Sequence, residues 1–364
     1  MQTASLPPDS FQDVLARLPP DLDLNALARS TKAIRRARKV SDGKNLLRLA
    51  LARGPGGLSL NQTATWAAMS GVAKLSDPGL KKRLDRAVPF LKALMEQQLA
   101  ERAGSATLHW PGRYLRVVDG TNISQPASKG TDWRVHAGYD LGTGGFVHLD
   151  LTDNHGAESI ERGMPKPGEV RMGDRNYANA CALDEFRRTS ANQADFIVRA
   201  RWKSFVLHRP DGTPFSLPDY LAALPADRPV QEVLGLARVS QTRDLALRLI
   251  IQRNSDEVTE NIRRHLRRAA ARRRKALDPR SLIAAGFLVL ATSLPAEGYP
   301  AAEVLAAYRL RWQIELAFKR LKSLLHIDLL PTLTPEASRS WLYAHLILAL
   351  LCDDLTQEFL ESSP

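Results

Sequence analysis

Cysteine is nearly absent from this 364-residue chain. The two that occur, Cys181 and Cys352, are far apart and have no CxxC or CxxH spacing, which excludes a structural zinc knot and a disulfide framework and suits a reducing cytoplasm. A basic start followed by an apolar run is also missing: MQTASLPPDSFQDVLARLPP does not read as a signal peptide, so no export is expected. No apolar stretch is long enough to span a bilayer, and the strongest, Trp341 to Cys352, predicts a buried helix. Neither an internal repeat nor a low-complexity tract is present.

Positive charge, by contrast, is abundant. The chain has 51 Lys and Arg against 39 Asp and Glu, a net charge of +12, with 44% hydrophobic residues. That composition describes a globular protein with material for one large core or two to three smaller domains, and it favours a polyanionic partner. Nucleic acid, acidic lipid and plain solubility each account for such an excess.

Residues 1–105 lack strand-like alternation and carry helical patterns, predicting a mostly α N-terminal domain. Within it, SLNQTATWAAMSGVAKLSDPGLKKRLDRA offers Ser59 as a cap, Gly71 as a turn and Ser76-Asp77-Pro78 as the start of a second helix. This spacing matches a DNA-binding helix-turn-helix, and equally a helix pair of an ordinary bundle. From 106 to 201 strands appear (RYLRVVDGT, FVHLDLTD, EVRMGDRNY, ADFIVRAR) with one helix among them, so the class becomes α/β. Residues 202–285 have short strand-like pieces, many prolines and a densely basic run from Arg264 to Lys275, as expected of an insertion. A buried strand, GFLVLATS, and a continuous helix from about Ala301 to Leu325 are predicted within 286–364.

Three acids are candidates for a metal site: Asp119 and Asp174, each expected at a strand end, and Glu315 within the late helix. A carboxylate at a strand end is held by buried backbone while its head reaches a cleft, and hard oxygens of this kind suit Mg²⁺. Taken singly, an acid at a strand end is equally a turn former or a solvated residue. Two metals so held activate a water and stabilise the departing oxygen of a phosphodiester. At 100° per residue, Tyr308, Arg311, Glu315, Lys319 and Lys322 share one helix face, with Leu310, Ile314, Ala317 and Leu321 opposite. A solvated charged face accounts for the amphipathicity, but not for a lone acid among four groups that all donate to phosphate.

The spacing Tyr308, two residues, Arg311, three residues, Glu315, six residues, Lys322 resembles the Y-(2)-R-(3)-E-(6)-K motif of the IS4 family of bacterial insertion-sequence transposases. The resemblance extends through VVDGTNIS, DWRVHAGYDL, LDLTDNHGAES and GDRNY. It implies an RNase H-like catalytic core with a mostly β insertion subdomain. Intervals of 55 positions from Asp119 to Asp174 and 141 from Asp174 to Glu315 leave room for that insertion. It further implies that Asp119, Asp174 and Glu315 are catalytic and hold Mg²⁺, with Mn²⁺ as substitute, and that Tyr308, Arg311 and Lys322 contact transposon ends; Lys319, on the same helix face, is a DNA-binding candidate from its position alone. The implied reaction cleaves the ends, passes through hairpins and transfers a strand into target DNA. Double-stranded DNA as terminal inverted repeats and target, a homodimer bridging two ends, and a cytoplasmic, nucleoid-associated location belong to the same implication. Members often continue beyond the position of Pro364. Asn176 departs from the family, where an acidic or small residue often follows Asp-Arg.

Further candidates are less specific. Positions 264, 265, 268, 269, 272 and 273 form a strip along the basic run that suits backbone neutralisation, or a solvated helix. Phe287 and Trp202 are candidates for stacking on a flipped base, or for the core. His109, His136 and His155 fall near the first two acids without the convergence zinc requires, and Glu158 is a candidate accessory residue of the cleft. Two other functions stay open on the residues alone: a non-catalytic DNA-binding protein, such as a decayed transposase acting as a regulator, and an RNase H-like nuclease without strand transfer.

Overall fold

A computed structural model describes residues 11–102 and 109–362, with side chains described to 323 and from 325 to 353 in the C-terminal part. The expected boundary at 105 and 106 lies outside the described residues. In chain order the elements are α1 (Phe11–Ala16), α2 (Leu24–Ser30), α3 (Gly43–Arg53), α4 (Leu60–Met69), α5 (Asp77–Arg86), α6 (Val88–Arg102), β1 (Tyr114–Ile123), β2 (Trp133–Asp140), β3 (Gly145–Asp153), β4 (Glu169–Gly173), α7 (Ala180–Thr189), β5 (Asp195–Arg199), β6 (Leu207–His208), α8 (Leu217–Ala223), β7 (Val230–Ser240), β8 (Arg243–Arg253), α9 (Asp256–Arg273), α10 (Pro279–Ala284), β9 (Phe287–Thr292), α11 (Ala301–Arg309), α12 (Trp312–Leu325) and α13 (Pro335–Ser362). Contacts divide the chain into two compact units, one of residues 1–106, 120–156 and 316–364, the other of 107–119 and 157–315.

In the first unit the helices start where the sequence supplies caps. Asp23 accepts from the Asn25 and Ala26 amides, Asp42 from the Asn45 amide, and Ser59 forms a reciprocal capping box with Gln62. Gly71, at φ 68°, turns the chain after α4, and Pro78 opens α5. The apolar run from Trp341 to Cys352 lies in α13, which packs on α3, α5 and α6. Leu46, Leu47, Phe90, Leu91, Leu94, Leu342, Leu346 and Ile347 are fully buried, each contributing about 1.5–3 kcal/mol of transfer free energy. β2 and β3 form an antiparallel hairpin in this unit, in the order β3-β2-β1, and the Asp140 carboxylate accepts from the Gly142 and Thr143 amides of its turn. Among the described residues no helix is long and apolar enough to cross a membrane.

His345 sits inside this helical core, its Nδ1 2.8 Å from the Trp341 carbonyl, and burial pushes its pKa down to about 4. The unfolded chain therefore takes up a proton near pH 6.5 that the folded chain refuses until about 4. Stability present above pH 6.5 is lost as pH falls through that window, by about 3 kcal/mol. Urea denaturation at pH 7.5 and 5.0 should show about 2 kcal/mol of that drop in the native sequence and a much smaller one in His345→Gln; equal drops would remove His345 as the cause.

The second unit is organised by a sheet in the order β1-β4-β5-β9-β8-β7-β6. β1, β4 and β5 run parallel, and β9, β8, β7 and β6 add antiparallel. α7 makes the crossover between β4 and β5, as a parallel pair requires, and packs on β7 and β8. Leu183, Phe186, Phe196, Val198, Leu249 and Ala291 lie in its core. Residues 202–285 supply β6, β7, β8, α8, α9 and α10, and β8 pairs with β9 from Arg248↔Thr292 to Arg253↔Phe287, so these strands extend the same sheet.

An ion cluster is buried beneath this sheet. Glu169 on β4, fully buried, pairs with Arg116 on β1 at 3.2 Å and with Arg171 two residues along β4 at 2.6 Å. Arg171 also donates to the carbonyls of Ile160, Arg162 and Gly163, tying down a segment that has neither helix nor strand.

The late helix differs from the expected continuous one. At Leu310 and Arg311 the backbone changes to three-residue turns, with Leu310 N bonded to Ala307 O, Arg311 N to Tyr308 O and Gln313 N to Leu310 O. Such a tightened turn re-aims the following helix. β1 also differs: it runs four residues past Asp119, because Thr121 and Ile123 keep the buried alternation and turn residues arrive only at Gln125 and Pro126.

Candidate active site

Asp119 is therefore inside its strand rather than at the end, yet it lies beyond the last pair of the parallel ladder, Val117↔Met172. Asp174 directly follows β4, and its Oδ1 accepts from the Asn176 amide at 2.7 Å. Gly173 permits this turn: a Cβ there would come within 2.7 Å of the Tyr177 side chain, which folds back over the strand end. Tyr177 is buried, and its phenol is pushed far above the usual range by burial and then by the carboxylates of Asp119, Glu158 and Asp174, with Arg162 opposing. Acids from three segments thus act electrostatically on one ring. A field of that sign stabilises cations.

Tyr308 closes the site from the other side. It is buried at the end of α11, its hydroxyl donates to the Gly173 carbonyl at 3.3 Å, and burial pushes its pKa up to about 12. The side chain is therefore a strut under the Asp174 turn, and the helix break at 310–311 lies between it and Glu315. Arg311, in the break, pairs with Glu315 at 2.5 Å. Burial opposes the guanidinium charge, but Glu315, Tyr308 and Asp119 outweigh it and raise its pKa.

No group of three His, Cys, Asp or Glu converges closely enough for a metal ion among the described residues. Glu315, 56% exposed, is held by Arg311. The acids that act on Tyr177 are all carboxylates, hard oxygen donors of the type a divalent cation such as Mg²⁺ accepts. His136 is buried against Thr152 Oγ1, His155 is exposed, and neither joins an imidazole cluster.

Lys319 is exposed and Lys322 half-buried further along α12. On α9 only Thr259 is buried, and Arg264, Arg268, Arg272 and Arg273 are exposed. Two positions of the strip, His265 and Ala269, carry no fixed charge, which corrects its count of basic residues from six to four. Phe287 is a core residue, with the Arg253 guanidinium 4.7 Å from its ring. Trp202 is half-buried, donates from Nε1 to Ser281 Oγ and has Arg280 and Lys203 over its ring.

Sequence reasoning missed Arg201, whose guanidinium feels Arg175, Asp174 and Arg199. A signal existed. β5 lies parallel beside β4, so residues at and just after its carboxyl end fall next to the residue that follows β4.

A family profile described as "Transposase DDE domain" matches residues 110–351. The chain is 37% identical over 359 residues to the putative transposase InsL of the insertion sequence element IS186A of Escherichia coli K12, spanning 98% of this chain and 96% of that one. It is 37% identical over 360 residues to the transposase of the insertion sequence element IS421 of Escherichia coli, with the same coverage. A solved piggyBac transposase synaptic complex with hairpin DNA aligns with a TM-score of 0.42 and 9% identity, over 95% of this chain and 72% of that chain. With a DDE domain matched across most of its length and IS4-type relatives along nearly all of it, the chain belongs to the IS4 family of DDE transposases.

Proposed function

We propose that this transposase excises an insertion sequence by cutting both DNA strands at its ends through hairpin intermediates and joins the freed 3′-hydroxyls to target DNA. The observation that carries this reading is the placement of Asp119 and Asp174 just past the paired ends of the parallel strands β1 and β4, with both acids and Glu158 acting on Tyr177 and with an Arg311–Glu315 pair whose guanidinium also feels Asp119. The order β3-β2-β1 in one unit and β1-β4-β5 in the other, with β1, β4 and β5 parallel, supports an RNase H-like core. Residues 106–201 and 286–364 form that core, 202–285 the insertion subdomain, and 1–105 the domain that binds transposon ends. The enzyme works in the bacterial cytoplasm on nucleoid DNA, as a homodimer that bridges two ends.

Asp119 and Asp174 hold the metal, which we assign as Mg²⁺, replaceable by Mn²⁺. When bound, it activates the attacking hydroxyl and stabilises the departing oxygen. Arg311 exchanges the Glu315 carboxylate for a DNA phosphate, and Glu315 then turns to complete the site, so that cleavage waits for an aligned end. Lys319 and Lys322 hold phosphates of the end farther along α12, while Tyr308 keeps the Asp174 turn in place. Water attack frees a 3′-hydroxyl, this attacks the opposite strand to close a hairpin, a second water opens it, and the regenerated hydroxyl attacks target DNA.

The test is a plasmid carrying the gene with several hundred flanking base pairs on each side, incubated with purified protein with and without Mg²⁺. Metal-dependent cuts at a pair of inverted repeats, with hairpins and strand-transfer products, are the expected result. Cuts without joining would indicate a nuclease, and binding without cuts a regulator.

The exposed strip of α9 makes a separate expectation. Each phosphate contact contributes about 0.9 to the slope of log affinity against log salt, so replacing Arg264, Arg268, Arg272 and Arg273 by Gln should flatten the slope by about 3–4 units. Fluorescence anisotropy with terminal-repeat DNA over a salt series measures it, and an unchanged slope would remove α9 from the interface.

A further inference from the structure

Asn176 stands where relatives often carry an acid or a small residue, and its surroundings explain the amide. Its Nδ2 donates to Glu158 Oε2 at 3.1 Å, and its Oδ1 accepts from Arg201 Nη2 at 3.0 Å. Its backbone N–H donates to Asp174 Oδ1. A carboxylate at this position would repel Glu158, and alanine would serve neither partner. Only a side chain with both a donor and an acceptor satisfies a carboxylate and a guanidinium at once.

Both partners are themselves held. Glu158 belongs to the irregular segment that Arg171 ties down through the carbonyls of Ile160, Arg162 and Gly163, and Arg162 Nε donates to Ala157 O beside it. Arg201 follows β5, and the Ser204 hydroxyl accepts from its amide. The two side-chain bonds of Asn176 are solvent-exposed and so add little to stability. Their effect is on direction.

We infer that Glu158 and Asn176 are positioning residues for Asp174: the clamp Glu158–Asn176–Arg201 fixes the backbone N–H that occupies Asp174 Oδ1 and so sets the orientation of the carboxylate that would hold the metal. This rests on the assignment of Asp174 as a metal ligand. Outer contacts of this kind typically alter metal affinity by about 10–100-fold when removed.

The experiment is Mn²⁺ binding to the full-length protein, followed by electron paramagnetic resonance of the free ion, with melting temperatures recorded in parallel. Asn176→Ala and Glu158→Ala should each weaken binding about tenfold without lowering the melting temperature. Glu158→Gln, whose amide oxygen still accepts from Asn176, should restore it. If either alanine variant stays within about twofold of the native protein, or if Glu158→Gln binds as weakly as Glu158→Ala, the clamp is overturned. The second of those outcomes would make Glu158 a ligand in its own right. Asp174→Asn serves as control: native-like Mn²⁺ binding in that variant would reject the metal assignment itself, a failure distinct from that of the clamp.

Discussion

Asp174→Asn should slow DNA cleavage by about three orders of magnitude or more, a barrier increase of about 4 kcal/mol, while leaving DNA binding and folding almost unchanged. The expectation follows from what the substitution spares. An amide oxygen at this position still accepts from the Asn176 N–H, so the turn after β4 and the packing of Tyr177 against Gly173 persist. What disappears is one negative charge among the acids around Tyr177. Asp119→Asn should behave alike. Glu315→Gln should separate the two functions differently: it also loses cleavage, but it frees Arg311 from its ion pair, so affinity for transposon ends should hold or rise. Single-turnover cleavage and anisotropy on the same oligonucleotides measure both quantities. Retention of cleavage by Asp174→Asn to within about tenfold would take the residue out of the chemistry.

The largest effect on stability should come from Glu169→Ala. This carboxylate is the counter-charge of two buried guanidiniums, Arg116 and Arg171, and neither has water to turn to. Removing one partner of a buried pair costs about 3–5 kcal/mol, chiefly through the unpaired charge left behind. The loss should appear as a lower urea midpoint with an unchanged slope. Cleavage should fall as well, since Arg171 no longer has a fixed direction from which to hold the segment that carries Glu158. A loss below about 1 kcal/mol would mean that the cluster relaxes or admits water.

The placement of two candidate acids relative to their strands was largely legible in the sequence. Asp119 and Asp174 follow apolar strand patterns, and both come to rest at the carboxyl end of the parallel ladder. Ser59 caps α4 and Pro78 opens α5, as their neighbours announce. Other features are decided by tertiary contact. No Gly or Pro marks the break at Leu310 and Arg311, so helical periodicity carried Tyr308 and Glu315 onto one face, whereas the hydroxyl of Tyr308 finds its acceptor on β4, 135 residues away in sequence. The run VVDGTNI reads as a strand closed by a turn because Gly120 follows the acid, yet buried Thr121 and Ile123 continue it. Glu158 and Arg201 meet through Asn176 across 18 and 25 residues, a distance at which local patterns are silent.

The tied segment after β3 has a practical consequence for anyone attaching a reporter to this enzyme. Stretches without helix or strand are the usual choice for an inserted tag, but extra residues between 159 and 164 would pull the Ile160, Arg162 and Gly163 carbonyls from Arg171 and displace Glu158 with them. The tip between β6 and α8 is a better host. Residues 209–214 are exposed there, Gly212 sits at φ 84°, and the turn is held by local contacts, those of Asp211 and Arg209 with Thr213, the bridge of His208 with Pro214 and the Arg209 guanidinium over Phe215, so a fluorescent label can be accommodated there.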